Sequence, residues 1–485
     1  MTVKLCLSLL IPLLIAYILI HIFSPFKKMN FTHFLLKISL AVGLGFGITS
    51  CTYFLSLLTV GPQIYGVIMY ESGLFTCLVL ILVSYGKNRV APENHLEYKK
   101  KLDDFKLRRI LSTGLYSVFA SAFANLLYRA ILLPHGTWDA WAIWNFRARF
   151  IFRGGEYWTD AFSSLLPLIY HTDYPLLIPL TVSRCWTYIG RETLAVPMAI
   201  SLLFTVAIVI IIYSALCILK SKSQGIIASL VLLSTVLFIE LGTFQHADIP
   251  TAFFFLSSIV FLFLQDRYPE SYGLSFLSGA MAGFAGWTKN EGLLFLASFF
   301  VARIIGIVVA QNRKKQIKQL MFFVVGSMPV LAIIIYFKVN LAPASDLVSG
   351  GRDIGEILSR VTNYARYVEI IIGFMKGILF TIPQVLLLLF YPKFVGARIA
   401  DIRKTDNFTS VLVLILMMAG YFCVYLITPY DLTWHIKCSM HRLLIQLWPS
   451  VLLTYFMIVD APEDMLINSR NEMCSTIRVN RGETC

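Results

Sequence analysis

Apolar residues run along the chain in long blocks separated by polar connections. The blocks fall at 5–24, 38–60, 64–85, 110–132, 194–219, 226–244, 250–265, 274–289, 291–310, 320–337, 366–391, 409–428 and 443–459. Most have about 17 to 25 residues, enough for a helix to cross a hydrocarbon core of roughly 30 Å. No alternating ten-residue strand pattern of a closed barrel is present. The pattern predicts an all-α, polytopic transmembrane helical bundle of roughly 13 spans. One connection stands out by length. Between 137 and 179 the sequence predicts a helix over 138–152 lying in the membrane interface. Trp138, Trp141 and Trp144 sit at headgroup depth there, and Asn145, Arg149 and Arg153 form a polar stripe. Gly154-Gly155 ends it, and a second, amphipathic or half-inserted helix is predicted over 175–189, opening on Pro175.

Composition supports the membrane reading: 58% of residues are hydrophobic, 14% are charged, and the mean hydropathy is +0.74. A soluble domain carries about 25% charged residues. The net charge of +14 does not indicate nucleic acid, because the basic residues gather in alternate connections as they do on the cytoplasmic side of membrane proteins. Lys27, Lys28, Lys37, the stretch 87–109, Lys220, Lys222, the group 313–318 and the group 393–404 mark that side. Nine cysteines show no Cys-x-x-Cys spacing, so neither a zinc site nor a disulfide framework is indicated, and no spacing supports a Cys185–Cys438 pair. The first apolar block is long for a cleavable leader and reads as a retained span. The residues after 459 read as a polar, flexible tail.

This orientation puts the 137–179 connection on the non-cytoplasmic face, together with four other polar groups. They are the stretch from Gln245 to Pro250, Lys289-Asn290-Glu291, the segment 340–363, and the stretch from Thr428 to Arg442. Asp139 fits a general base partly desolvated by tryptophans, or an acidic residue favoured in a first helical turn. His171-Thr172-Asp173-Tyr174-Pro175 and His246-Ala247-Asp248-Ile249-Pro250 repeat one His-x-Asp-x-Pro pattern. Capping accounts for the Asp and Pro but has no need of His171 or His246. Lys289 and Glu291 fit either a rim that binds an anionic headgroup or an Asn290-capped helix start with Glu291 on its dipole and Lys289 snorkelling. His435 and Arg442 add cationic or switchable groups, and the orientation rule does not account for Arg442. Among ionisable residues inside the blocks, Glu71 and Arg129 are expected to pair, and Glu240 to contribute to the outer cluster.

A long first outer loop with an early Asp and two helices, followed by short loops bearing a second acidic residue, resembles the C-type membrane glycosyltransferases (GT-C). That superfamily includes protein O-mannosyltransferases and the aminoarabinose transferases of lipid A. The stretches 138–152, 171–179, 245–250, 287–294 and 428–449 carry the resemblance, and the shared module covers about 110–310. It divides the chain into N-terminal spans with a basic cytoplasmic loop (1–109), the catalytic module (110–310), C-terminal spans (311–459) and a cytoplasmic tail (460–485). The resemblance implies a polyprenyl-phosphate-linked sugar donor, a glycan, lipid or protein acceptor, and inversion at the anomeric carbon. It also implies an integral protein of a bacterial inner membrane with its site on the periplasmic face. Asp139 matches the catalytic base and Asp248 the second acidic residue, with Asp173 as a further candidate. Lys289 and Arg442 are the phosphate candidates by chemistry, with His246, His171, Glu291, His435 and Glu240 around them. No Asp-x-Asp occurs in the first loop, so no metal ligands are assigned and a divalent metal is left open without being indicated; no nucleic-acid partner or other cofactor is implied. Two other readings remain open: a transporter or flippase of lipid-linked sugars, and a polysaccharide polymerase or ligase. The first calls for ionisable residues deep in several spans, and the second for a large late outer loop with paired arginines.

Overall fold

The computed structural model describes residues 2–25, 30–86, 105–310, 312–344, 354–379, 381–396 and 405–464. Lys27, Lys28, most of the basic stretch 87–109, Arg398, Arg403 and Lys404, and the tail after 464 lie outside the described residues.

The described chain is a helical bundle. Its first part comprises α1 (Thr2–Phe23), α2 (Phe31–Thr59), α3 (Ile64–Gly86) and α4 (Phe105–Leu132). The long connection holds a π-helical turn (Ala140–Trp144), α5 (Asn145–Arg153), two 3-10 turns and α6 (Leu177–Ile189). Then come α7 (Ala195–Leu219), α8 (Lys222–Leu233), α9 (Val236–Leu241), α10 (Asp248–Arg267), α11 (Tyr272–Thr288), α12 (Asn290–Val309) and α13 (Arg313–Asn340). The last part is α14 (Ile354–Thr362), α15 (Tyr364–Leu379), α16 (Ile382–Val395), α17 (Thr405–Ile427) and α18 (Leu432–Ile458). Among the described residues nine helices are long and apolar enough to cross a membrane, or ten if α15 and α16 form one broken span. The chain is an integral, multi-pass membrane protein.

At the centre lies α10, whose membrane-length window is wholly buried, with α2 next in burial. Phe253, Phe254 and Phe255 of α10 are all inaccessible, and α7, α11 and α18 surround that helix. A helix apolar on every side needs such a jacket of other helices. The outer helices keep apolar surface free for lipid, as at Tyr128 and Ile131 of α4.

Several expectations change here. The predicted span 226–244 is two short helices, α8 and α9, broken at Ser234-Thr235. The predicted span 366–391 is α15 and α16, bent by 83°. The predicted 175–189 helix is α6 (Leu177–Ile189), and Leu177 through Trp186 are all buried among α1, α2, α5 and α7. Its amphipathic pattern has a protein-side cause, because Arg184 must reach a partner inside the bundle. That partner is Glu71, so the expected Glu71–Arg129 pair does not form. Tyr188 also donates to Glu71 at 2.7 Å, and Arg184 donates to the Ser8 carbonyl at 2.7 Å. Lys37, read as a loop marker, lies inside α2 with its Nζ 3.5 Å from His21 Nδ1. Cys185 and Cys438 are free thiols.

Candidate active site

Four connections meet at one end of the bundle. The chain reaches it at the start of α10, leaves along α10, and returns along α11 to the α11–α12 turn. It comes back again at the end of α13 and sets out once more along α18. The α11–α12 turn is so tight that a Cβ on Gly292 would lie 1.9 Å from the Ala285 carbonyl oxygen. Glycine is therefore required there, and the turn projects Lys289, Asn290 and Glu291 together.

Asp248 is the hub. It is the first residue of α10, wholly buried, and its side chain caps nothing. Its Oδ2 accepts from Arg442 Nε at 2.8 Å and lies 2.8 Å from Arg442 Nη2. Its Oδ1 accepts from Lys289 Nζ at 3.0 Å and from Gln446 Nε2 at 2.7 Å. A buried carboxylate persists only with such pairing. Arg442 Nη2 also reaches Asp139 Oδ2 at 2.5 Å, so one guanidinium ties α10 to the long connection. Asp139 precedes the π-helical turn, makes no side-chain cap, and keeps 18% of its side chain exposed. Lys289 is buried rather than snorkelling, and its Nζ also contacts Glu291 at 2.7 Å.

Asp173 lies beside this cluster and does not cap α6, whose N-cap is Leu176. Its Oδ2 accepts from Asn290 Nδ2 at 3.0 Å and is 3.5 Å from Lys338 Nζ. Lys338 in turn donates to Asn290 Oδ1 at 3.0 Å. Asn290 is the first residue of α12, and its amide joins the two groups instead of capping. Arg147 is fully buried close by: it donates to the carbonyls of Tyr174 and Ile143 and stacks on Trp144. Burial lowers its pKa to about 10, against the opposing pull of Asp173, so it is charged at neutral pH. Tyr174, buried beneath, has its phenol held well above the usual range, first by burial and then by the acidic groups around it.

The remaining candidates stand at the margins. His246 is held by Thr137 Oγ1 at 2.6 Å, with Nδ1 3.7 Å from Asp248 Oδ2. His171 stacks on Tyr174 at 4.7 Å in a left-handed backbone conformation (φ 43°). His435 bonds Thr428 at 2.9 Å. Glu240 does not join the cluster, because its partner is Arg129 at 3.2 Å. Of the Asn145, Arg149 and Arg153 stripe, Asn145 is buried, Arg149 is half-buried and Arg153 is exposed. Asn145 donates to Gln245 at 2.9 Å, while Arg149 and Arg153 both pair with Glu192. Lys338, Gln446 and Arg147 were not singled out in the sequence. The first two had a signal, a lone cation or amide closing or interrupting an apolar block. Among the described residues no group of three or more His, Cys, Asp or Glu is arranged to hold a metal ion.

A multi-pass helical membrane protein with an acid–base cluster capping one end of its bundle is the class that fold and site define. Residues 173–337, a third of the chain, match the model of the family described as dolichyl-phosphate-mannose-protein mannosyltransferase. Over that third of its length the chain is similar to this family, which supports a membrane glycosyltransferase of the GT-C type. No curated protein and no solved structure matches it.

Proposed function

We propose that the protein transfers a sugar from a polyprenyl-phosphate-linked donor to an acceptor on the non-cytoplasmic face, with inversion and with Asp139 as the base. The observation that carries this reading is the contrast between two carboxylates on one arginine. Asp248 is buried and saturated by Arg442, Lys289 and Gln446, whereas Asp139 meets only one of those groups and remains open. Asp248 therefore positions Arg442, and Asp139 is free to take a proton.

The fixed charges of the site cancel when all groups are ionised. Asp139, Asp248 and Glu291 oppose Arg442 and Lys289, leaving one negative charge when all are ionised. The adjoining Arg147 and Lys338 against Asp173 leave one positive charge. As the glycosidic bond breaks, charge grows on the leaving lipid phosphate. Fixed cations then stabilise the transition state more than the ground state. A phosphate drawn to Arg442 would compete with Asp139 for the same guanidinium, freeing the carboxylate for the acceptor. The test is transfer by purified protein in lipid nanodiscs, comparing a polyprenyl-phosphate sugar with the matching nucleotide sugar. Transfer from the lipid-linked donor is expected. Transfer from the nucleotide sugar instead would overturn the donor assignment.

A further inference from the structure

A cleft of about 350 Å³ runs between α4 on one side and α8 and α9 on the other. It exists because α4 presents Ser117, Ser121, Asn125 and Arg129 at four-residue intervals, which puts them on one helix face. The upper two are short side chains that leave room. The opposite wall is apolar, with Leu233, Val236 and Ile239, and it turns at the break between α8 and α9. That break is held from outside the cleft: Trp448 donates to Thr235 at 3.1 Å and Gln384 donates to the Ser234 carbonyl at 2.9 Å. The geometry is therefore built into the fold.

The cleft changes character along its length. At one end Arg129 pairs with Glu240 and bonds Asn125 at 3.0 Å, and each member of the ion pair is about a third exposed (33% and 31%). That end adjoins the active-site connection. Beyond α4, the Pro134 carbonyl accepts from Gln245 at 3.1 Å and Thr137 N donates to the Phe244 carbonyl at 3.3 Å. The intervening Gly136 has φ 70°, and a Cβ there would lie 2.5 Å from the Phe244 carbonyl oxygen. The cleft's charged end and Asp139 thus share one piece of structure.

We propose that this cleft binds a lipid whose head carries hydroxyl groups, and that this lipid is the sugar acceptor. The second half rests on the transferase reading above; the first does not. A volume of 350 Å³ lies within the range of ligand pockets, about 300 to 1,000 Å³, and is too narrow for a helix about 10 Å across. The helix face flanking the cleft is lipid-exposed at Tyr128 and Ile131, so the occupant comes from the bilayer. The ion pair lies near the ends of α4 and α9 and is left partly open, so a polar group can cover it. Arg129 donates and Glu240 accepts, so the best cover both accepts and donates hydrogen bonds, as hydroxyls do. An apolar tail then lies over Ser121 and Ser117, whose hydroxyls can turn back to the carbonyl four residues earlier.

The test uses full-length protein in nanodiscs with two photoactivatable lipids of identical tails, phosphatidylglycerol and phosphatidylcholine. Labelling is mapped by peptide mass spectrometry. Saturable labelling at the α8–α9 wall, about tenfold stronger with phosphatidylglycerol, is expected. Ser121→Trp should remove it while labelling near Tyr128 and Ile131 persists, and Arg129→Gln should remove the head preference alone. Equal, unsaturable labelling by both lipids, unchanged by Ser121→Trp, would overturn the site. For the acceptor role, labelled sugar should appear in the organic-extractable fraction and fall with Ser121→Trp. Sugar recovered on protein would overturn that role and leave the transferase reading intact. If no sugar moves at all, the transferase reading fails, the acceptor role fails with it, and the lipid site is decided by the labelling.

Discussion

Asp139 and Asp248 share one arginine yet differ in every property that decides chemistry. Asp248 has its oxygens taken by three side chains in a buried place, and Asp139 has one partner and an open side. In the sequence Asp139 reads equally as a helix-start residue or a base, and Asp248 reads first as a cap, since Asp near Pro or in a first turn has a local explanation. What separates them is Lys289 and Gln446, 41 and 198 residues downstream of Asp248. No local pattern encodes that meeting. The fork of Arg442 is central to it: Nε and Nη2 both reach Asp248, and Nη2 also reaches Asp139. Lysine keeps the charge but not the fork. Arg442→Lys is therefore expected to lower the transfer rate by about 10- to 100-fold, one to two units of 1.36 kcal/mol in barrier, with folding retained. A wild-type rate in that variant would leave point charge as sufficient.

Among the elements, those read from hydrophobic blocks have the right type, and their breaks were what the sequence hid. Nothing in the apolar run 226–244 marks the stop at Ser234-Thr235, because that stop is fixed by Trp448 and Gln384 from distant helices. The burial of α6 was hidden for a related reason. A short run with one arginine has the pattern of an interfacial helix, and the partner that allows Arg184 inside is Glu71, 113 residues away. Arg184 and Glu71 are 0% and 3% exposed at their side chains, so removing one partner strands a buried charge. Arg184→Met alone is expected to cost about 3 to 5 kcal/mol of stability, and adding Glu71→Leu should recover much of it. Thermal unfolding in detergent of both variants checks this. Equal loss in the single and double variants would mean that the pair contributes through packing rather than charge.

Across the whole molecule, the site draws on both parts of the chain that the family match covers and parts it does not. Residues 173–337 include Asp173, Asp248, Lys289 and Glu291, while Asp139 and Arg442 fall outside. The bundle brings them together because α10, α11, α12, α13 and α18 each begin or end at one pole. That polarity was legible from the alternation of basic and chemically varied connections along the sequence. The pairings within the pole were not, since Lys338 marks the end of an apolar block but its partners Asn290 and Asp173 lie 48 and 165 residues away. The central claim is that Asp139 takes the acceptor proton. Its most direct measurement is sugar transfer from a polyprenyl-phosphate donor by Asp139→Asn, with Glu291→Gln, a neighbouring carboxylate paired to Lys289, as the control. A loss of about 10²- to 10⁴-fold in the rate for Asp139→Asn, with donor binding retained and Glu291→Gln much less affected, is the predicted result. Transfer at the wild-type rate by folded Asp139→Asn would contradict the account.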